Sequence, residues 1–154
     1  MGFLSYLING ISLGSVYAII ALGYTMVYGI AKMLNFAHGD VIMIGSYVVF
    51  SAVSVMGMPS GVGIIIAVVV CTALGVVIEK IAYKPLRGAS PLAVLITAIG
   101  VSYFLQNAAL LIFGANAKSF TSVVGFSGLT LADGALFISG ETIVTILACI
   151  LIVI

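Results

Sequence analysis

Three long stretches of this chain contain no charged side chain. They cover residues 1–31, 41–78 and 88–117. A helix needs roughly 20 apolar residues to cross the hydrocarbon layer, so each stretch is long enough for one crossing and the middle one for two short ones. Because a backbone in lipid must satisfy its own hydrogen bonds, such stretches fold as helices. The pattern predicts an integral membrane protein.

The composition excludes several other classes of protein. Charged residues make up 6% of the chain and hydrophobic residues 64%, whereas about a quarter of a soluble domain is charged. A net charge of +1 leaves no basic footprint for nucleic acid. The single histidine and two cysteines do not form a conventional metal cluster. The sequence therefore predicts no metal, no cofactor, no enzymatic activity and no nucleic-acid partner.

Polar residues and turns divide the chain into five predicted spans. These spans cover residues 4–30, 41–56, 62–78, 91–113 and a last segment from about residue 139. In the last span we expect Ser139 to cap the helix and Glu141 to lie in its first turn. Residues 57–61 have the composition of a turn, and Ser90 followed by Pro91 is typical of a helix start. Weak strand character at residues 119–126 and 128–138 predicts short strands outside the membrane.

We therefore expect one transmembrane domain over residues 1–154, an all-α polytopic bundle with about five transmembrane helices. The chain ends within an apolar run that has no polar flank. A span normally ends at an interfacial anchor. This ending therefore predicts that the sequence is truncated at its C-terminus and represents the N-terminal part of a longer protein.

Basic residues predict the orientation of the spans. Residues 79–90 are expected to form a polar loop that carries Lys80, Lys84 and Arg87. Cytoplasmic loops collect such residues, so this loop and Lys32 should lie inside, and Lys118 and the N-terminus outside. The three basic residues are either a topology signal only or a surface for an anionic partner or anionic lipid.

Small residues form a stripe on the first predicted span. Gly10, Gly14 and Ala18 recur at four-residue spacing, which lets another helix approach closely. Glycine is also frequent in membrane helices without any packing role. The repeated spacing favours a helix-packing surface.

A compact polar cluster lies between the first two spans and contains Asn35, His38, Gly39 and Asp40. Polar groups at membrane depth often mark a transport pathway, especially beside a short span. The alternative is an ordinary solvated turn. We expect Gly39 to adopt a positive φ at a sharp break and Asp40 to cap the second span, where its charge meets the helix dipole.

Two adjacent amides, Gln106 and Asn107, lie within the fourth apolar span. Amides in this position usually form hydrogen bonds between helices. A contact with a transported substrate is the other interpretation, so both residues are candidates for the pathway.

Several of these segments together resemble the N-terminal part of the Liv-type permeases, the membrane subunits of ABC importers for branched-chain amino acids. The similar segments are LGYTMVYG at 22–29, NFAHGD at 35–40, MIGSY at 43–47, EKIAYKPLRG at 79–88, LITAIG at 95–100 and FLQN at 104–107. Their order and spacing agree across about residues 5 to 115. The combination is specific, although each piece alone is weak.

The resemblance implies a subunit of a bacterial inner-membrane importer. It implies pairing with a second, homologous permease, two cytoplasmic ATPase subunits that hydrolyse ATP, and an external binding protein that delivers a branched-chain or related small amino acid. The loop that couples family members to the ATPase lies in their C-terminal half, and no segment of this chain matches it.

Two alternatives to this function remain open. Related permeases carry urea or short amides, and the same N-terminal pattern would suit them. A secondary transporter or channel would couple transport to an ion through an intramembrane ionisable residue. The candidates for that role are His38, Asp40 and Glu141, all near predicted span ends.

Overall fold

The computed structural model of the chain describes residues 2–32, 35–119, 125, 129–131 and 136–153. Five α-helices dominate these residues. They are α1 (Gly2–Ala31), α2 (His38–Phe50), α3 (Ser60–Ile78), α4 (Pro91–Phe113) and α5 (Gly140–Val153). A π-helical turn, Ser51–Val55, extends α2 toward its C-terminus. A second π-helical turn, Glu79–Tyr83, and a short 3-10 turn, Lys84–Leu86, extend α3.

Four of these helical segments are long and apolar enough to cross a bilayer, namely Phe3–Ile30, His38–Val55, Ser60–Leu86 and Pro91–Phe113. The apolar segment of α5, Gly140–Ile152, is shorter. The predicted all-α, multi-pass fold class is therefore confirmed.

The predicted polar loop at residues 79–90 is wrong in its first half, because α3 continues through it. Glu79 and Lys80 are good helix formers, so their charge ends the apolar run without ending the helix. The break comes at Pro85, which lies at the start of the 3-10 turn, where proline is tolerated. Gly88, at φ +98, then turns the chain toward α4.

Helix starts agree with their predicted caps. The Ser90 hydroxyl accepts a hydrogen bond from the Ala93 N–H at 3.4 Å, with Pro91 at the first helical position. The Ser139 hydroxyl accepts from the Thr142 N–H at 3.3 Å, and Glu141 lies in the first turn of α5. Both caps satisfy backbone donors that the helix itself leaves unpaired.

A short antiparallel hairpin precedes α5. Strand β1 (Leu129–Leu131) pairs with β2 (Leu136–Ile138), with Thr130 opposite Phe137. This hairpin confirms the predicted strand character of residues 128–138. The strand predicted at residues 119–126 falls almost wholly outside the described residues.

The chain divides into two compact units. The core unit is Val27–Thr121, and the terminal unit combines Met1–Met26 with Ser122–Ile154. In the core unit, α2, α3 and α4 pack around buried side chains, which are Ala37, Ile78, Tyr83, Val94, Ala98 and Leu105. Ala37 and Ala98 are fully inaccessible to solvent, so the helices approach closely where their side chains are small.

Glycine makes the contact between α2 and α3 possible. A Cβ added at Gly45 would lie 2.9 Å from the Cys71 Sγ, and one added at Gly63 would lie 2.8 Å from the Val53 Cγ2. Such distances are well inside van der Waals contact, so a side chain at either position would force its neighbour to move. The two helices are joined by a turn in which Gly57 has φ +67.

The terminal unit contains the stripe predicted on α1. Gly10 and Gly14 are exposed, and a Cβ added at either would have no neighbouring atom within 4 Å. Ala18 is half-buried. Within this unit the Ser12 hydroxyl donates to the Thr142 hydroxyl of α5 at 3.4 Å. Packing of the stripe against another helix stays a prediction.

Candidate functional site

A buried carboxylate connects α2 to α4. Asp40 lies in the first turn of α2 and is 8% exposed. Its Oδ2 accepts a hydrogen bond from the Ser102 hydroxyl at 2.5 Å, and its Oδ1 accepts one from the Gln106 Nε2 at 3.0 Å. The Gln106 Nε2 also lies 3.2 Å from the Ser102 Oγ. We call these three residues the carboxylate cluster.

The local sequence explains this geometry. Ser102 and Gln106 are four residues apart on α4, so both side chains project from one face of that helix. Asp40 lies in the first turn of α2, where a negative charge interacts favourably with the helix dipole. Two neutral donors and one helix terminus thus stabilise a carboxylate that burial would otherwise destabilise.

The predicted capping role of Asp40 is wrong, although its predicted place at the start of the helix is confirmed. The N-cap position of α2 is Ala37, which makes no side-chain cap hydrogen bond. The carboxylate is instead engaged by donors from α4. A carboxylate can accept several hydrogen bonds. Here the donors are side chains of α4, and not the backbone N–H groups at the start of α2 that the capping prediction required.

The prediction of a positive φ at Gly39 is also wrong, since Gly39 lies inside α2 with helical geometry. The backbone turns earlier, at Lys32, whose φ is 54. The Lys32 N–H donates to the Tyr28 carbonyl at 2.8 Å and so closes the end of α1. The break therefore comes at the end of α1 rather than next to Asp40.

Asn35 ties the segment before α2 to the end of α3. Its Oδ1 accepts from the Tyr83 hydroxyl at 2.8 Å and from the Ala37 N–H at 3.1 Å. Its backbone carbonyl accepts from the His38 N–H at 3.2 Å. Asn35 and His38 are therefore joined to each other and lie close in sequence to Asp40, and both are half-buried.

The two adjacent amides of α4 have different partners. Gln106 bonds across to α2, as expected for an amide between helices. Asn107 donates to the Tyr103 carbonyl of its own helix at 2.7 Å and is exposed. The structure thus brings Gln106, but not Asn107, to Asp40.

Sequence reasoning missed Ser102 and Tyr83. The available signal for Ser102 was its four-residue spacing from Gln106, which places both on one helix face. Tyr83 gave no signal, because its hydroxyl partner, Asn35, is 48 residues away in the sequence.

A cavity of about 890 Å³ opens next to the segment before α2, and Asn35, Val41 and Tyr83 are among its lining residues. It is bordered by the end of α1, the starts of α2 and α4, and the last turn of α3 with its C-terminal extension. Most of its wall is apolar, and its polar lining residues are Lys32, Asn35, Glu79, Tyr83 and Arg87. Lys80 and Lys84 are exposed in the same segment but do not line it.

An exposed ion pair lies at the edge of this cavity. The Arg87 guanidinium is 2.6 Å from the Glu79 carboxylate, and the two side chains are 67% and 45% exposed. Solvent screens such a pair, so it contributes little to stability. Both groups remain accessible to a charged ligand.

A smaller cavity of about 260 Å³ lies along one face of α2. Met43, Ser46, Tyr47, Phe50 and Lys118 line it. The Lys118 Nζ is 5.9 Å from the centre of the Phe50 ring, a cation–π distance. Among the described residues, no group of three or more His, Cys, Asp or Glu side chains is arranged to hold a metal ion.

Comparison with known proteins gives a consistent result. The family model described as branched-chain amino acid transport system / permease component matches residues 6–154. The high-affinity branched-chain amino acid transport system permease protein BraD of Pseudomonas aeruginosa is 51% identical over 117 residues, which are 71% of this chain and 38% of that protein. LivH of Escherichia coli, which carries the same descriptive name, is 52% identical over 113 residues, 68% of this chain and 37% of that protein.

LivH of Salmonella typhimurium is similar at 51% identity over 113 residues. The matched part of the chain spans well under half the length of each of these relatives, 37% in this case. No solved structure matches the chain.

Proposed function

Because the chain belongs to the family of branched-chain amino acid transport system permease components, we propose that it forms part of the translocation pathway of an ATP-driven importer. The transported substrate is a branched-chain or related small amino acid, as the names of the similar permeases suggest. The described helices provide the membrane-spanning scaffold that such a role requires.

The carboxylate cluster is the observation that carries this proposal. An ionisable side chain inside a transmembrane bundle is costly, and it is usually kept there for transport rather than for stability. Asp40 meets that description, since it is buried and held by donors from a second membrane helix. We assign the seam between α2 and α4 to the pathway wall, with Asn35 and His38 beside it.

The proposal includes the partners that the resemblance to the Liv-type permeases implies. The chain pairs with a second, homologous permease, two cytoplasmic ATPase subunits hydrolyse ATP, and an external binding protein delivers the substrate. The word "system" in the names of the similar proteins supports an assembly of several components. The chain itself supplies a pathway and no catalysis.

The orientation in the bacterial inner membrane is part of the proposal. Lys80, Lys84 and Arg87 face the cytoplasm, and Lys118 and the N-terminus face outward, because basic residues concentrate on the cytoplasmic side. Single cysteines introduced at positions 84 and 118, in a background without the two native cysteines, would be labelled in intact cells by a membrane-impermeant reagent. Labelling at 118 alone is expected, and labelling at 84 alone would reverse the orientation.

The decisive experiment separates ATP-driven from ion-driven transport. The full-length protein is reconstituted with its partner permease, ATPase subunits and binding protein in liposomes, and uptake of labelled leucine is measured. We expect uptake to require internal ATP, to be blocked by vanadate and to persist when ionophores collapse the proton and sodium gradients. Uptake that follows an ion gradient without ATP would instead identify a secondary transporter.

The same liposomes distinguish the substrates. Excess unlabelled leucine, isoleucine or valine should compete with labelled leucine, whereas urea and short amides should not. ATP-dependent uptake of urea with no uptake of leucine would reassign the chain to the amide-transporting relatives.

A further inference from the structure

The cavity of about 890 Å³ combines a mostly aliphatic wall with two cationic side chains. Its wall is built from aliphatic side chains on four segments, among them Val27, Ile30, Ile78, Val94 and Leu95. Cationic side chains are confined to Lys32 and Arg87. A volume of this size is within the usual range for a specific ligand site. Such a cavity fits an amphiphile that has one aliphatic part and one anionic part.

The charge around the cavity is strongly one-sided. Lys32, Lys80, Lys84 and Arg87 are four of the five basic residues in the chain. Among the described residues that line the cavity, Glu79 is the only acidic one, and it is already paired with Arg87. The electrostatic potential at this end of the core unit therefore favours an anion.

Lys32 is placed at the cavity by an uncommon backbone conformation. Its φ of 54 lies in the left-handed region, which side chains with a Cβ seldom adopt. A helix that ends with such a residue usually has glycine there, since glycine meets no steric penalty. Here the position carries a long cation instead, and an unusual backbone conformation at a lining residue suggests a functional use.

We propose that this cavity binds an anionic phospholipid. One acyl chain occupies the aliphatic wall, and the phosphate is held by the Lys32 ammonium and the Arg87 guanidinium. Basic pockets between membrane helices bind lipid head groups in this way, and a guanidinium matches the geometry of a phosphate. The proposal needs only the membrane fold, so it stands apart from the identity of the transported substrate.

Glu79 acts in this arrangement as a competitor for Arg87. Its carboxylate lies 2.6 Å from the guanidinium, so it occupies the group that would bind the phosphate. The pair is exposed, and solvent screening keeps it weak enough to exchange for a better anion. Removal of the Glu79 charge should therefore strengthen lipid binding, whereas removal of a cation should weaken it.

The test is native mass spectrometry of the full-length protein in detergent, titrated with phosphatidylglycerol and, as the neutral reference, phosphatidylcholine. We expect the first phosphatidylglycerol to bind more tightly than phosphatidylcholine. Lys32→Gln and Arg87→Gln should each weaken that first step by about fivefold. Glu79→Gln should strengthen it.

Two further sets of variants separate a cavity site from general surface attraction. Lys80→Gln and Lys84→Gln remove cations of the same segment that do not line the cavity, so they should leave the first binding step unchanged. Gly75→Leu adds an aliphatic side chain to the cavity at a position where a Cβ has no neighbour within 4 Å. It should weaken binding without changing charge, and an unchanged melting temperature would show that the variant is folded.

Three results would overturn the proposal. Equal losses for the Lys80, Lys84, Lys32 and Arg87 variants would show diffuse attraction to the surface. Binding of glycerol 3-phosphate that is as strong as that of phosphatidylglycerol would show that the acyl chain makes no contribution. Displacement of phosphatidylglycerol by leucine would identify the cavity as an amino-acid site.

Discussion

The core unit and the terminal unit are almost equally apolar, yet they use apolar side chains differently. Every buried hydrophobic side chain of the described residues lies between Ala37 and Ala109, within the core unit. In the terminal unit Phe3, Tyr6 and Leu151 are about four-fifths exposed, at 82%, 78% and 80%. The hydrophobicity of a segment therefore identifies it as a membrane helix, but it does not show which surface that helix packs against.

Glycine shows the same contrast. Gly63 of the core unit has Val53 so close that no Cβ fits, whereas Gly14 of the terminal unit has open space around it. One glycine is required by a contact within the chain. The other is available to a contact with a different molecule.

Each unit also contains one cysteine, which allows the two to be measured separately. Cys71 lies in the core unit and Cys149 in the terminal unit, and both are free thiols. Cys149→Ser leaves a thiol-reactive dye to report melting at Cys71 alone, and Cys71→Ser does the reverse. Because the chain contains no tryptophan, this signal replaces intrinsic tryptophan fluorescence.

The largest effect is expected from Gly63→Leu. The added side chain must displace Val53 and Ala52, the neighbours of the missing Cβ, and overpacking of this kind typically costs about 1–3 kcal/mol. The Cys71 melting temperature should fall clearly. Gly61→Leu is the matched control, since Gly61 is in the same helix with no atom within 4 Å of its Cβ position; equal losses for the two variants would contradict the close approach of α2 and α3.

Asp40→Ala should have the next largest effect. It removes the acceptor of the hydrogen bonds from Ser102 and Gln106, and a hydrogen bond to a charged group contributes about 1.5–3 kcal/mol. Asp40→Asn retains an acceptor and should melt closer to the wild type. If the charge serves the pathway, the Asn variant should still lose leucine uptake in the reconstituted importer.

Asn107→Ala is the control for the Asp40 series, because Asn107 is on the same helix as Gln106 but bonds only to the Tyr103 carbonyl in the described contacts. It should retain uptake. Full uptake by Asp40→Asn at wild-type membrane abundance would refute the pathway role of this carboxylate.

Tyr83→Phe should have a moderate effect. It removes the 2.8 Å hydrogen bond from the tyrosine hydroxyl to the Asn35 side chain, and one such bond contributes about 0.5–1.5 kcal/mol. The Asn35 Oδ1 keeps its bond from the Ala37 N–H, so the loss should be near the lower value. A Cys71 melting temperature equal to that of the wild type would show that this bond contributes nothing.

Gly14→Leu should have the smallest effect on the chain itself. Nothing lies within 4 Å of the position of its Cβ, so melting at Cys149 should not fall. Association with the second permease should weaken, because bulk on a small-residue stripe prevents close helix approach. Gel filtration of the complex measures this, and normal assembly would leave the stripe without a packing role.

Local patterns were sufficient for the first four spans and for the two serine caps. The start of α4 at Ser90 and Pro91 needs only neighbouring residues, and both predictions are confirmed. The end of α3 was placed too early because the first charged residues, Glu79 and Lys80, mark the end of the apolar run and not the end of the helix. Backbone hydrogen bonds continue there until Pro85 interrupts them.

The carboxylate cluster could be predicted only in part. Asp40 and Gln106 were each recognisable as polar residues in apolar surroundings, but their contact spans 66 residues of sequence. A local sequence pattern does not show which residues so far apart in the chain will be in contact. The prediction that Asp40 caps its own helix failed because its hydrogen-bond donors lie on α4. The prediction that Gly39 bends the backbone failed because the turn lies at Lys32.

The Asp40 hydrogen bonds have a consequence for how the protein is made. The donors on α4 are synthesised 62 and 66 residues after the carboxylate that they stabilise. An aspartate at the centre of a membrane helix opposes insertion by about 2.5–3.5 kcal/mol on insertion scales, less near a helix end. The Asp40 carboxylate therefore leaves the ribosome before its partners exist. Either the insertion machinery supports the α2 segment, or that segment stays near the water interface until α4 is synthesised.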